Sequence, residues 1–174
     1  MQPFTDDADL LTKAVRRLKT GGGTKMFDAI QLACQEHLRK ETRVRRVLVL
    51  ISDGDDNMSF EVLSSTIEAA QRAEVAIYAI STNTSGFFGM SAPKNDKVLK
   101  RLAEETGGRA FFPAKIDEMA VNFQDISLEL RNQYSLAYRS ANRQRDGSFR
   151  SIKINTTRKD AKTFHRKGYY APPG

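Results

Sequence analysis

One cysteine, Cys34, stands in the 174 residues, so no intrachain disulfide can staple this chain. Cys34 falls at an apolar position of a helical pattern, where a thiol packs as a small hydrophobe. A nucleophilic reading needs a base and an orienting acid. His37 follows three residues later on the same helix, and no Asn or Asp pattern completes a triad. The only other histidine, His165, has no candidate nucleophile beside it in sequence. Long apolar runs are also lacking. Residues 47–51 and 75–80 fall far short of the ~20 residues of a membrane-spanning helix, so no membrane span is expected. The opening MQPFTDDADLL has neither a basic n-region nor an apolar h-region, so no export address is expected in the sequence in hand. Low-complexity, collagen-like and solenoid repeats are missing too.

What is present is ordinary globular material, 40% hydrophobic and 28% charged. A chain of this length buries roughly 70% of its unfolded surface in one core. The net charge of +7 is unevenly placed, with ten Lys or Arg against two Asp between residues 139 and 167. Such a stripe can meet an acidic partner, an anionic surface or nucleic acid. No aromatic-interleaved motif accompanies it, so no specific nucleic-acid partner is expected, and solvated strand faces and turns are the plainer reading.

Along the chain, Leu10, Leu11, Ala14, Val15 and Leu18 fall at helical spacing behind Asp6 and Asp7, predicting a short amphipathic helix over 6–19. Gly21, Gly22 and Gly23 end it, and a second helical pattern runs from Thr24 through Phe27, Ile30, Ala33, Cys34 and Leu38. Residues 47–51, VLVLI, read as a central parallel strand buried on both faces. The loop 52–57 follows, and Ser59 is placed to cap a helix carrying Val62, Leu63, Ile67, Ala70 and Ala73. The pattern repeats with a strand at 75–81, an excursion over 82–95, a helix through Val98 to Ala103, a short strand at 109–113 and a helix over 116–133. This alternation predicts an α/β fold with three Rossmann-like layers, a mostly parallel sheet flanked by helices. From Tyr134 the pattern changes: YSLAYRS and FRSIKINTT each alternate around a turn at Asp146 and Gly147, predicting an antiparallel hairpin, with 160–170 as a further edge segment. Residues 1–133 are thus an α/β domain and 134–174 a β extension packed on it or continuing it.

In open α/β sheets ligands bind outside the carboxyl ends of the strands. Thr24, after the triple glycine, and Asp53, directly after the most apolar strand, both fall at such a place. A hydroxyl and a carboxylate are hard oxygen ligands suited to Mg²⁺. The segment DGDDNMSFE echoes a calcium loop, but Met58 stands where glycine is needed and Ser64 where a bidentate Glu belongs. GGGTKM is not a Walker A loop, because its Lys follows the Thr and the second Gly-Lys pair is absent.

The segments GGGTKMFDAI and RRVLVLISDGDDN resemble the second and third elements of the metal-ion-dependent adhesion site of von Willebrand factor type A domains. That resemblance matches Thr24 to the site's Thr and Asp53 to its Asp. It implies an interaction module without catalytic residues, in which a protein partner supplies a carboxylate to a Mg²⁺ or similar divalent cation held by the full-length protein. The ending, with LRNQYSLAYRS and RKGYYAPPG, is similar to a bacterial subgroup described only as von Willebrand factor A-related, which implies an exported bacterial protein. The site's Asp-x-Ser-x-Ser run is absent from this sequence. By the resemblance, the chain is expected to be a fragment that lacks the N-terminal strands. A competing reading takes Asp53 and Asp55 as the paired acids of a haloacid dehalogenase-type phosphatase, although no Gly-Thr follows them. Thr24 as a helix cap and Asp53 as a turn former are the bland readings of the same residues.

Overall fold

In the computed structural model, residues 2–19, 21–40, 44–83 and 94–174 are described. Part of the 82–95 excursion lies outside them.

Three parallel strands form the sheet: β1 (Arg46–Ser52), β2 (Val75–Ser81) and β3 (Ala110–Phe111), in that spatial order. β1 and β2 pair along their full length, from Arg46 beside Val75 to Ser52 beside Ser81. The helices are α1 (Ala8–Arg16), α2 (Met26–Leu32), α3 (Leu63–Arg72), α4 (Lys94–Thr106) and α5 (Glu118–Arg131). α2 runs on through a π-helical turn over Ala33–His37 and a 3₁₀ turn over Leu38–Lys40.

The three layers follow from the pleat of β2. Val75, Ile77 and Ala79 point to one face and join Met26, Ile30, Cys34, Ile67, Ala70, Leu99 and Leu102 from α2, α3 and α4. Tyr78 and Ile80 point to the other face and meet Phe111 and Ile126, with Met119 and Leu130 of α5 packed around them. Cys34 is fully buried, and burial pushes its thiol pKa up to about 11, which keeps it protonated and inert.

Two expectations change at the edges. β2 is the middle strand of the described sheet, whereas β1, read from sequence as central, lies at its edge with Val49 41% and Ile51 49% exposed. An uninterrupted aliphatic run reports a strand fit for burial on both faces, but it cannot report how many neighbours that strand has. Likewise α1 forms with Asp7 capping the N–H groups of Asp9 and Leu10, yet Leu10, Leu11, Val15 and Leu18 on its apolar stripe are all exposed.

The C-terminal extension is antiparallel, as expected, but its partners differ. β4 (Phe149–Ser151) pairs with β5 (Gly168–Tyr170), and residues 134–140 form no strand. Gly168 decides the pairing: a Cβ there would collide with the Phe149 ring and with the Arg150 carbonyl oxygen, so only glycine lets the strands close. β5 packs against α3, with the Arg72 guanidinium 3.9 Å from the centroid of the Tyr170 ring.

Candidate functional site

The carboxyl ends of β1 and β2 open into the loops that carry Thr24 and Asp53. Gly22, at φ 78°, turns the glycine loop through left-handed backbone. Gly23 lies so close to Asn57 and Met58 that a side chain there would displace them. The loop is then stitched to the one after β1. The Thr24 N–H donates to Asn57 Oδ1 at 3.0 Å, and the Thr24 carbonyl accepts from the N–H groups of Asn57 and Met58.

α2 begins at Met26 with Lys25 at its N-cap position, a residue with no side-chain oxygen to cap it, so Thr24 lies just outside the helix and is not its cap. The caps come from far along the chain. Asp56 Oδ2 accepts from the Phe27 N–H at 2.7 Å, and Ser59 Oγ accepts from the Asp28 N–H at 3.1 Å. Asp28 answers in kind, its carboxylate accepting from the N–H groups of Phe60 and Glu61 at 3.0 Å each. Desolvation pushes the Asp56 carboxyl up, but hydrogen bonds from Phe27, Ser59 and Met58 outweigh it and hold the pKa below the usual Asp value. Ser59 therefore caps α2 and not the following helix, where Ser65 Oγ accepts the Val62 N–H.

Asp53 is exposed, and its Oδ1 accepts the Asp55 N–H at 3.0 Å in a local Asx turn. Its backbone carbonyl accepts from Asn83 Nδ2 at 2.8 Å. The same amide donates to Asp96 Oδ1, which also accepts from Ser81 Oγ, both at 2.8 Å, and so the ends of β1 and β2 are locked to the start of α4. Gly54 lies in this lock at φ 78°, where a Cβ would run into the carbonyl oxygen of Asn95.

Thr24 lines a groove of about 340 Å³ along β1, the edge strand of the described sheet, together with Ala29, Ile30, Val49, Ile51 and Ser52. Thr24 and Ser52 thus border one groove, and Asp53 is the next residue in the chain, so both predicted ligand residues lie at the same end of the sheet. Among the described residues no group of three His, Cys, Asp or Glu side chains could hold a metal. The donor set on offer is a hydroxyl and an exposed carboxylate, hard oxygens that fit a magnesium-like ion. Asp55, the second acid of the phosphatase reading, is exposed in the Asx turn, whereas Asp56 is the acid bound into the structure.

The residues missed in the sequence are those that hold the rim together: Asp28, Asp56, Asn57, Asn83 and Asp96. A Gly-Gly-Gly run facing an Asp-, Asn- and Ser-rich loop was the available signal, but the partners lie from 13 to 33 residues apart and no local pattern joins them.

The family model of the von Willebrand factor type A domain matches residues 2–127. A crystal structure of an uncharacterized membrane spanning protein from Vibrio fischeri is similar, with 21% identity, a TM-score of 0.41, and 71% of this chain and 67% of that one covered. No curated protein matches the chain.

Proposed function

Because the chain belongs to the von Willebrand factor type A domain family, we propose that it is a non-catalytic protein-binding module of the adhesion type, whose contact end is the carboxyl rim of β1 and β2. The observation that carries this reading is the stitching of the glycine loop to the loop after β1, which puts Thr24 and Asp53 at one end of the sheet. Asp28, Asp56 and Ser59 are consumed in mutual capping and Asn57 in accepting the Thr24 N–H, whereas the Asp53 carboxylate faces solvent with only a local turn to serve.

In this reading the site is a partial metal-ion-dependent adhesion site, and Thr24 and Asp53 would hold a Mg²⁺ or similar cation in the full-length protein. Such an ion would give a partner's carboxylate a hard-cation anchor. The chain's own residues supply the two oxygens and the rigid rim that fixes them. No role falls to Cys34, whose thiol is buried and protonated. An exported bacterial protein remains the address proposed from the family resemblance.

The test is capture of binding proteins by the full-length protein in Mg²⁺ and in EDTA, alongside its Asp53→Ala variant. The reading expects captured partners that are lost on chelation and lost with Asp53→Ala. Metal-independent capture contradicts it. So does turnover of an aryl phosphate that Asp53→Asn abolishes, which would restore the phosphatase reading.

A further inference from the structure

Loops ordinarily turn polar side chains to water and apolar ones inward. Residues 58–62, which lead from the rim into α3, do the reverse. Ser59 and Glu61 are half-buried and spent within the chain: Ser59 Oγ accepts the Asp28 N–H, and Glu61 Oε2 accepts the Ser65 hydroxyl at 2.7 Å. The apolar residues that alternate with them face solvent, with Met58 52%, Phe60 90% and Val62 57% exposed. Single exposed apolar residues are ordinary, whereas three at alternate positions of one segment mark a contact surface.

The segment is also fixed. Each backbone N–H from Asn57 to Val62 has an acceptor within the chain: the Thr24 carbonyl for Asn57 and Met58, Asp56 Oδ1 for Ser59, Asp28 Oδ1 for Phe60 and Glu61, and Ser65 Oγ for Val62. Its backbone therefore has little freedom left to lose when a partner docks, which favours binding. Two of the apolar side chains lie against the glycine loop. Met58 packs so close to Gly23 that no Cβ fits between them, and the Lys25 ammonium lies 4.8 Å from the centroid of the Phe60 ring. Gly23 and Lys25 flank Thr24 in the chain, so the apolar strip begins beside a candidate cation ligand.

We propose that Met58, Phe60 and Val62 are the apolar half of the contact end, and that the partner they fit is a protein segment carrying a carboxylate beside a large apolar side chain. This rests on the reading of the rim as a protein-binding end and adds the chemistry of the partner. Phe and Met are both enriched at protein interfaces, and Met reshapes to the surface it meets. The carboxylate follows from charge. Lys25 is half-exposed, and its ion pair at 3.8 Å is with Asp28, an acid already accepting from the N–H groups of Phe60 and Glu61. Such a pair is weak and exchangeable, so the ammonium can meet an acid that arrives beside the Phe60 ring. Asp53 and Asp55 repel that acid unless a cation stands between them. The acidic half of the contact therefore needs the metal, and the apolar half does not.

Immobilised octapeptides in a Gly-Ser frame test this, titrated with the full-length protein by interferometry in Mg²⁺ and in EDTA. They carry Asp followed by Leu, Asp followed by Ser, or Asn followed by Leu. In Mg²⁺ the peptide with Asp and Leu is expected to bind at least about tenfold more tightly than either of the others. Phe60→Ser should remove the preference for Leu over Ser, and Phe60→Leu should keep most of it. Circular dichroism of Phe60→Ser should match the parent, since the ring it removes is exposed. The proposal and the metal site fail separately. Asp-dependent binding that needs Mg²⁺ but is blind to Leu and to Phe60→Ser would overturn the apolar anchor and leave the metal site standing. A Phe60-dependent preference for Leu that is the same with Asn, in EDTA and in Asp53→Ala would uphold the anchor but overturn both the carboxylate and the metal site. Failure of every peptide to bind would overturn the proposal as well.

Discussion

Asp56 is the residue whose loss this fold should feel most at the rim, because one carboxylate caps α2 across the gap between two loops and also accepts the Ser59 hydroxyl and N–H. Asp56→Ala is expected to cost about 1–2 kcal/mol, the range for losing a helix cap, measured as a lower urea midpoint at pH 7. The pH dependence has a definite sign. The folded pKa lies below the unfolded value of about 3.9, so the stabilisation is complete above that value and is lost as pH falls through the lower folded pKa. Asp56→Asn should therefore lose less stability than the parent in acid titrations below about pH 4. Glu74 offers the opposite case. It is the one described non-glycine residue with positive φ, at 53°, in the turn that ends α3, where glycine sits without strain. Glu74→Gly should raise thermal stability by about 1 kcal/mol, since the exposed pair with Arg166 contributes little. Thr24 and Asp53 could be singled out from sequence because glycine punctuation and an apolar strand mark their positions locally. Asp56 could not be singled out in this way, because its partner, Phe27, is 29 residues away and nothing short-range announces it.

Among the elements, β2 and α3 to α5 were legible because long apolar periodicity and glycine stops fix them. The partners of the short strands were not. Three-residue strands such as β4 and β5 carry too little pattern to choose a neighbour, and the choice falls to tertiary fit, above all at Gly168 beside Phe149. The edge position of β1 was equally hidden, since the aliphatic run 47–51 looks the same with one neighbour or two. An exposed apolar edge strand is a template for unwanted pairing. Ile51→Lys, on the exposed part of β1, is expected to lower concentration-dependent light scattering of the 174-residue chain while leaving its circular dichroism unchanged. Where α4 begins, Gly54→Ala should cost more than about 1 kcal/mol in chemical unfolding, because left-handed backbone and the nearby Asn95 carbonyl both resist a Cβ.

For the molecule as a whole, the two ends of the parallel sheet carry opposite chemistry. The carboxyl rim gathers Asp28, Asp53, Asp56 and Asp96 in two linked loop systems, and the amino-terminal end gathers Arg39, Arg46, Arg72 and Arg166 against the extension. The central claim concerns the first of these ends, and Mn²⁺ is its most direct probe, being a hard divalent ion that suits oxygen ligands and is visible by electron paramagnetic resonance. Titrating Mn²⁺ into the full-length protein and its Thr24→Ala and Asp53→Ala variants should reveal one bound ion in the parent, competed by Mg²⁺. Its affinity should fall at least tenfold with Asp53→Ala and measurably with Thr24→Ala. Equal Mn²⁺ affinity in the parent and both variants would contradict a metal-dependent adhesion site at this rim.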